Sequence, residues 1–490
     1  MCVRAQDLVG CQYRRRQQQR FPAARPTALA RERSARLAAA RRHTLALLPT
    51  VPGRVDIEEA DPEEAELATL EALVSEAPLI TSAEFAGAGW RVRVDILHRA
   101  TDGTYVPIVI SAHRAARPAE GRRVPTLRTA ELGLGGQAHE EPFRIKHHTS
   151  DGYRLALATR ALSALGLAGP WGGVIGQDPT RAFLHRTESH QAPLSAALAA
   201  PIPTVPRRVK ECEWCPYQRE CRAELEEMDD ISLVLPGERA ASLRRRHIDT
   251  VGKLVAADLG EVSQLAAAWR EGIPVLRARQ GRPIPRARRE IDVDVEAYLD
   301  HGVYLWGLWD GESYHPFVTW EPLGGAAEAA TFAAFWAHLR RLLEEGEGPE
   351  DVRVYCYSNN GENHWLRSSA RRFAGQPGVP TEQEVEEFIR SSQWVDVFQY
   401  VREELAGPEG LGLKTVAPVA GYQWAEVELG GEGSVAAYRR ARTSPAERPR
   451  LLRYNEDDCR ATAAVRQWLS EGAPGIPLLS AQGQGRRAAE

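Results

Sequence analysis

Acidic residues at alternating positions mark one strand-like segment in the carboxyl-terminal third of the chain. The segment REIDVDVEAY places Asp294 and Glu296 two residues apart, so a β-strand would point both side chains to one face. Charges on an otherwise apolar strand are costly unless something binds them. Asp292 with Asp294 is an alternative pair in the same register. Because hard divalent cations such as Mg²⁺ or Mn²⁺ prefer oxygen ligands, the spacing predicts a metal site.

Two further acidic motifs follow along the chain. Glu362 comes after the predicted strand VRVYCYS, where strand-to-helix junctions commonly expose functional groups, although a helix-start carboxylate is the alternative. In YNEDDCRAT, Tyr454 and Asp458 lie four residues apart and share one helix face, whereas Asp457 points elsewhere and is expected to be solvated. Hydrolysis of a phosphodiester with two divalent ions requires several such carboxylates to converge.

Two other residues near these motifs are weaker candidates. Asp396 in WVDVF could add an acidic group, but a strand-end residue is the simpler interpretation. Lys414 in GLGLKTV could contact a phosphate, but a single lysine in a loop is usually solvated. Neither motif alone predicts a catalytic role.

The order of these motifs resembles the DEDD-type, proofreading 3′-5′ exonucleases. In those enzymes four acidic residues hold two metal ions and a tyrosine orients the attacking water. The stretches DVDVEAYLDHGVYLWGL, YCYSNNGEN, GLGLKTVAPVAGYQW and YNEDDCRAT also look like the ribonuclease H-like domain of bacterial RecB-like nucleases, over about 286–472. The resemblance implies that Asp294, Glu296, Glu362 and Asp458 bind the ions and that Tyr454 positions or helps to deprotonate water. Aspartate is usual at the position of Glu362.

Cysteines form a second pattern. Cys11 stands alone, and Cys212, Cys215 and Cys221 form C-x2-C-x5-C in ECEWCPYQREC. Disulfides are not expected in a cytoplasmic chain, and the C-x2-C spacing by itself favours a tetrahedral Zn²⁺ site. The pattern also resembles the iron-sulfur RecB-type nucleases of the PD-(D/E)XK class, and that resemblance implies a [4Fe-4S] cluster, with Zn²⁺ as the alternative.

The PD-(D/E)XK resemblance predicts an amino-terminal domain that has lost its own chemistry. Asp95 in WRVRVDIL matches the first acid of that family, but Val109 and Ser111 stand where an acid and a lysine are expected. The first unit is therefore predicted to bind nucleic acid or to act as a scaffold. His113, His147 and His148 could supply other ligands, although surface histidines are the default interpretation.

Hydrophobic periodicity supplies the elements that must position these residues. Helices are predicted over 30–48, 63–77 and 150–169, with a hairpin of strands at 90–100 and 104–115 around the turn TDG. Towards the carboxyl terminus, two strands at 291–309 precede alternating helices and strands, including a strand-like WVDVFQYV and a final helix from Tyr454.

These patterns predict a multidomain α/β protein. The predicted parts are a PD-(D/E)XK RecB-like α/β domain with the four-cysteine cluster at 1–225, a small helical, helix-hairpin-helix-like linker at 229–275, a ribonuclease H-like mixed-sheet domain at 286–472 and a loose tail at 474–490. A plain helical linker is an equal alternative at 229–275.

Composition is that of an ordinary globular protein, with a net charge of −4 and 43% hydrophobic residues. No signal peptide or membrane span is evident, so a cytoplasmic location is expected. The combined interpretation is a metal-dependent nuclease, a 3′-5′ exonuclease or end-trimming enzyme acting on DNA in preference to RNA. The alternatives are a non-catalytic iron-sulfur nucleic-acid-binding protein and a ribonuclease. The sequence leaves protein partners undetermined.

Overall fold

The computed structural model of the chain describes residues 2–298, 302–425 and 431–479. The chain divides into two compact units, Met1–Met228 and Asp229–Glu490. Each unit combines helices with a β-sheet, so the predicted multidomain α/β class is confirmed. Among the residues described, no helix has the combination of length and apolar character needed to cross a membrane.

The first unit contains twelve strands and six α-helices. The strands are β1 (Val55–Asp56), β2 (Leu79–Thr81), β3 (Glu84–Gly87), β4 (Trp90–Arg93), β5 (Ile96–Arg99), β6 (Tyr105–Ile110), β7 (Ala116–Pro118), β8 (Val124–Arg128), β9 (His139–Glu141), β10 (Phe143–Ile145), β11 (Trp171–Ile175) and β12 (Arg181–Arg186). The helices are α1 (Arg14–Arg20), α2 (Ala28–Ala46), α3 (Pro62–Val74), α4 (Thr149–Ala164), α5 (Gln191–Ala199) and α6 (Gln218–Glu227).

Eight strands of this unit form one mixed sheet in the order β1-β2-β5-β6-β11-β12-β8-β9. The predicted β5–β6 hairpin is present, and α4 ends just before Gly166, whose φ is +72°. The strand predicted over 90–100 is broken, because Asp95 turns inward to accept a hydrogen bond from the Ile110 amide at 2.6 Å. As a result β4 pairs with β3, while β5 joins the main sheet.

The second unit contains seven strands and ten α-helices in its described part. The strands are β13 (Leu276–Arg277), β14 (Arg289–Tyr298), β15 (Gly302–Trp309), β16 (Tyr314–Val318), β17 (Val352–Cys356), β18 (Trp394–Asp396) and β19 (Leu405–Ala406). The helices are α7 (Ala241–Arg245), α8 (Val251–Ala256), α9 (Glu261–Arg270), α10 (Ala326–Glu344), α11 (Asn359–Arg372), α12 (Glu382–Arg390), α13 (Val397–Glu404), α14 (Leu413–Val416), α15 (Gly431–Thr443) and α16 (Arg448–Ser470).

A five-stranded sheet in the order β16-β15-β14-β17-β18 forms the centre of this unit. The β14–β15 and β15–β16 pairs are antiparallel, and β14–β17 and β17–β18 are parallel. One face packs against α10, α11 and α12 through residues such as Val293, Phe332 and Leu366. The other face packs against α13, α14 and α16 through residues such as Tyr355 and Val465. The sheet therefore lies between two helical layers, and β14 occupies its middle.

Two predictions in this unit differ from the structure. WVDVFQYV is a strand only over Trp394–Asp396, because the Asp396 carboxylate accepts from the Phe398 amide at 3.0 Å and starts α13. The segment predicted as a loose tail is packed where it is described, since Leu479 is buried and its amide donates to the Arg277 carbonyl. Residues 480–490 of that predicted tail lie outside the described residues.

A buried ion-pair network joins β14 to α16. The Arg466 guanidinium donates to both carboxylate oxygens of Asp292, at 3.2 and 2.8 Å, and also contacts Glu290. Asp292 is fully buried and Arg466 is 5% exposed. Since a buried charge without a partner is strongly destabilising, this pair fixes how α16 lies on the strand.

We expect Arg466→Leu to lower the free energy of unfolding by about 3–5 kcal/mol, because it leaves Asp292 as an unpaired buried carboxylate. The measurement is urea denaturation followed by circular dichroism. Arg340→Leu is the matched control, since Arg340 pairs with Glu344 on an exposed helix surface and should cost less than about 1 kcal/mol. Equal losses in the two variants would contradict this assignment.

Candidate active site

Three carboxylates of the second unit converge at one place. Asp294 and Glu296 extend from the α16-facing side of β14, and Asp458 extends from α16. One carboxylate oxygen from each residue lies within 4.8 Å of the others. This separation is suited to shared binding of a divalent cation, because such ions are bound by carboxylate oxygens at about 2.0–2.6 Å.

Asn455 holds Asp294 in place. Its amide nitrogen donates to the Asp294 carboxylate at 2.6 Å, while its amide oxygen accepts from the Tyr314 hydroxyl at 2.6 Å. Gly307 makes this arrangement possible, since a Cβ atom at that position would lie 1.7 Å from the Asn455 oxygen. Asn455 was missed in the sequence, although it lies three positions before Asp458 and therefore on the same helix face.

The other two carboxylates have their own hydrogen-bond donors. Glu296 accepts from Tyr304 at 3.1 Å and from Ser434 at 2.8 Å. Asp458 accepts from the Trp424 indole nitrogen at 2.8 Å. Tyr304, Ser434 and Trp424 were not predicted as site residues, since none of them belongs to an acidic motif. Their donors orient the Glu296 and Asp458 carboxylates.

Tyr454 lies beside Asp458, to which it is hydrogen-bonded. It is buried, and burial followed by the neighbouring carboxylates raises its pKa. The phenol therefore stays protonated at neutral pH. It can donate a hydrogen bond to a water molecule, but a role as a proton acceptor is disfavoured.

Glu362 is not one of the three converging carboxylates, but its charge acts on one of them, Asp294. It is in the first turn of α11 and 8% exposed, and its Oε2 atom is buried without a hydrogen-bond partner in the part of the chain that is described. Burial raises the pKa of Glu362 to about 8, and the Glu362 charge contributes to raising the pKa of Asp294. An unpartnered buried carboxylate oxygen is what an absent cation would leave.

The electrostatics of the site favour a bound cation. Burial, followed by the charges of Asp458 and Glu296, raises the pKa of Asp294. Burial and Asp458 raise the pKa of Glu296 to about 7, and burial raises the pKa of Asp458 to about 6. Either protons or divalent ions must offset this negative charge, and the all-oxygen donor set suits ions of the Mg²⁺ and Mn²⁺ class.

The neighbouring acidic residues have structural partners instead. Asp292, the alternative metal ligand, is paired with Arg466. Asp457 is not solvated as predicted, because it accepts from the Tyr422 hydroxyl at 2.6 Å and from the Ala425 amide at 3.0 Å. These bonds hold the chain segment that carries Trp424 beside the site.

Lys414 and Asp396 border the site in different ways. The Lys414 ammonium lies 4.8 Å from the centre of the Tyr454 ring, and its charge lowers the pKa of Glu296 and Asp458. It is exposed, yet it is placed closer to the carboxylates than the sequence suggested. Asp396 caps α13 and also accepts from the Ser358 amide at 2.9 Å.

Asp95 of the first unit has a different environment. Its carboxylate pairs with Arg41 at 2.7 Å and with Arg154 at 2.9 Å, and it also binds the Ile110 amide. Val109 and Ser111 next to it are buried and carry no charge. Two arginines already neutralise this carboxylate, so the arrangement does not favour a cation.

Four of the cysteines in the first unit, Cys11, Cys212, Cys215 and Cys221, lie near one another. Burial, followed by neighbouring groups that include Cys11 and Cys215, raises the pKa of Cys212, and burial with the other three thiols raises the pKa of Cys221 to about 12. Cys215 shows the same direction. All four cysteines are free thiols.

Comparison with known families agrees with this geometry. Residues 293–470 match the sequence model of the RNase H superfamily. The second unit therefore contains a ribonuclease H-like domain. The match begins on β14 and ends with α16, so it includes all four carboxylates and Tyr454. An RNase H superfamily domain with a carboxylate cluster points to metal-dependent nuclease activity. No curated protein matches the chain at a significant level.

The raised pKa of Asp458 predicts a pH-dependent effect of Asp458→Asn on metal-free protein. The folded-state pKa is about 6 against an ordinary value of 3.8, so the unfolded chain loses this proton first and the wild-type fold is progressively destabilised as pH rises from 3.8 to about 6. In EDTA, the Tm of Asp458→Asn should differ least from that of the wild type below about pH 4 and exceed it by a constant amount above about pH 7.

Added Mg²⁺ should reverse this order near about pH 8, because the wild type gains the stabilisation of ion binding and the variant loses part of it. Thermal scans by circular dichroism provide the measurement. A variant that is less stable than the wild type in EDTA at the higher pH would show that the protein already compensates the charge of the Asp458 carboxylate.

Proposed function

We propose that the second unit is a two-metal 3′-5′ exonuclease or end-trimming nuclease that acts on DNA. The observation that carries the proposal is the convergence of Asp294, Glu296 and Asp458, with one carboxylate oxygen of each within 4.8 Å of the others. The order of the acidic motifs and the Tyr454–Asp458 pair support the exonuclease type, because both match the DEDD pattern.

Ion binding would involve all four carboxylates. Asp294, Glu296 and Asp458 would hold one ion, and Glu362 would complete a second position together with Asp294, whose pKa responds to both sides of the site. A bound pair of Mg²⁺ or Mn²⁺ ions would supply the Lewis acidity that activates water and stabilises charge on the phosphate.

The protein's own groups would orient the reactants. Tyr454 keeps its proton and donates a hydrogen bond to Asp458; with Asp458 bound to an ion, the hydroxyl would turn to donate to the attacking water and so fix the direction of attack. Asn455 and Ser434 hold the Asp294 and Glu296 carboxylates, so neither must reorganise during the reaction. The exposed Lys414 ammonium, next to the Tyr454 ring, would contact a phosphate of the substrate strand.

The proposal predicts that Asp458→Asn abolishes metal-dependent cleavage. Removing one carboxylate should reduce the rate by about 10³-fold, equivalent to roughly 4 kcal/mol of lost metal-ion stabilisation. The assay uses single strands labelled at the 5′ or the 3′ end, with Mg²⁺, with Mn²⁺ and with EDTA. Glu456→Gln is the matched control, because Glu456 lies on the same helix and pairs with Arg460 at the surface; its rate should stay within about 2-fold of the wild type.

Labelled DNA and RNA substrates test the proposed polarity and the proposed preference for DNA. A ladder that shortens from the 3′ end of DNA supports 3′-5′ polarity, whereas preferential loss of RNA would establish the ribonuclease alternative. Asp95→Asn should leave cleavage intact, since Asp95 is neutralised by two arginines. Cleavage that survives Asp458→Asn but not Asp95→Asn would move the chemistry to the first unit. Absence of metal-dependent cleavage by the wild type would favour a non-catalytic nucleic-acid-binding protein.

We further propose that the first unit is a RecB-type nuclease fold retained as a nucleic-acid-binding scaffold and closed by a [4Fe-4S] cluster on Cys11, Cys212, Cys215 and Cys221. The four thiols lie close enough for each of the other three to raise the pKa of Cys221. The C-x2-C-x5-C spacing with the distant Cys11 resembles the iron-sulfur RecB-type nucleases, which favours a cluster over a single zinc ion.

Protein purified without oxygen should accordingly be brown and contain about four irons per chain. Cys212→Ser should bleach the preparation and lower its Tm, because the cluster ties Cys11 to a segment about 200 residues away. Cys356→Ser is the control, since that buried thiol belongs to the second unit and should leave the colour unchanged. Colourless wild-type protein with stoichiometric zinc at the four cysteines would replace the iron-sulfur assignment with a zinc site.

A further inference from the structure

Three histidines of the first unit converge away from Asp95 and the cysteines. His147 precedes α4, His185 is on β12, and His190 ends the short 3-10 helix Glu188–His190 before α5. One ring nitrogen from each lies within 4.8 Å of the others. The ring centres are 5.6 Å apart for His147–His185 and for His185–His190, and 6.1 Å apart for His147–His190. The sequence had singled out His147 but not the other two.

Two of these rings have buried nitrogen atoms without a hydrogen-bond partner. They are Nδ1 of His185 and Nε2 of His190, and the statement refers to the residues that the structure describes. Buried ring nitrogens are normally hydrogen-bonded or bound to a metal.

The local packing keeps the rings together. Gly152, in the first turns of α4, leaves room for His190, because a Cβ atom there would lie 2.8 Å from two atoms of the ring. His185 is fixed by its strand, where it pairs with Gly172 of β11. His147 is exposed, so one side of the cluster faces solvent.

We propose that His147, His185 and His190 form a binding site for one zinc-class transition-metal ion, with three nitrogen ligands and an open fourth position. Imidazole favours Zn²⁺, Cu²⁺, Ni²⁺ or Fe²⁺ over Mg²⁺, so the site differs in metal class from the all-oxygen carboxylate site of the second unit. Three protein ligands with a solvent-facing fourth position are the arrangement that leaves a metal ion free to take up water or an anion.

The proposal is tested by Zn²⁺ binding to the full chain with its cysteines intact. After dialysis in a zinc buffer, the wild type should retain one more tightly bound Zn²⁺ per chain than His185→Gln or His147→Gln. These variants should bind that ion about 10²-fold more weakly or worse. His147 is exposed, so its variant is expected to fold even if His185→Gln does not. His43→Gln is the matched control, because His43 is an exposed histidine of α2 outside the cluster.

Co²⁺ substitution separates this site from the cysteines. The histidine-bound ion should give visible ligand-field bands that disappear in His147→Gln, without the intense sulfur-to-metal absorption that thiolates produce. Excess Mg²⁺ should not displace it. Equal zinc content in the wild type and both variants, or loss of the Co²⁺ bands only in a cysteine variant, would overturn the proposal and identify the cluster as packed neutral histidines.

Discussion

The structure of the second unit depends on how the negative charge on β14 is balanced. Asp292, Asp294 and Glu296 lie on one face of the central strand, where burying unbalanced charge is costly. Arg466 of helix α16 balances the charge of Asp292. Near Asp294 and Glu296 the same helix instead places the neutral amide of Asn455 and a further acid, Asp458. The same helix therefore stabilises one end of the strand and leaves the charge at the other end to be balanced by protons or by cations from solution.

Asp95 of the first unit and Asp294 of the second unit have different kinds of partner. In the first unit, Asp95 is held by two arginines and a backbone amide, and its neighbours Val109 and Ser111 carry no charge. In the second unit, Asp294 accepts a hydrogen bond from the neutral side-chain amide of Asn455. A buried carboxylate that is paired with arginines serves the structure, whereas carboxylates that lie close together at an energetic cost indicate a binding site for a ligand.

The sequence predicted much of the candidate site because its spacing follows directly from backbone geometry. Asp294 and Glu296 share a face on any β-strand, and Tyr454 and Asp458 share a face on any α-helix, so both pairs can be predicted from secondary structure alone. The interactions that it did not predict depend on tertiary packing. Asp457 was predicted to be solvated, but it accepts a hydrogen bond from Tyr422. WVDVFQYV was predicted to be strand-like, but most of it is helical because Asp396 caps a helix there. The histidine cluster joins residues from a loop, a strand and a 3-10 helix, so no local period reveals it.

The placement of Asp458 on α16 also has a consequence for biosynthesis. Asp294 and Glu296 lie at the beginning of the matched segment and Asp458 near its end. A growing polypeptide that has produced β14 but not yet α16 holds only part of the ligand set, and the central strand lacks the Arg466 counterion that makes its burial tolerable. Folding of the strand and assembly of the site are thus completed together, when the same late helix emerges and docks.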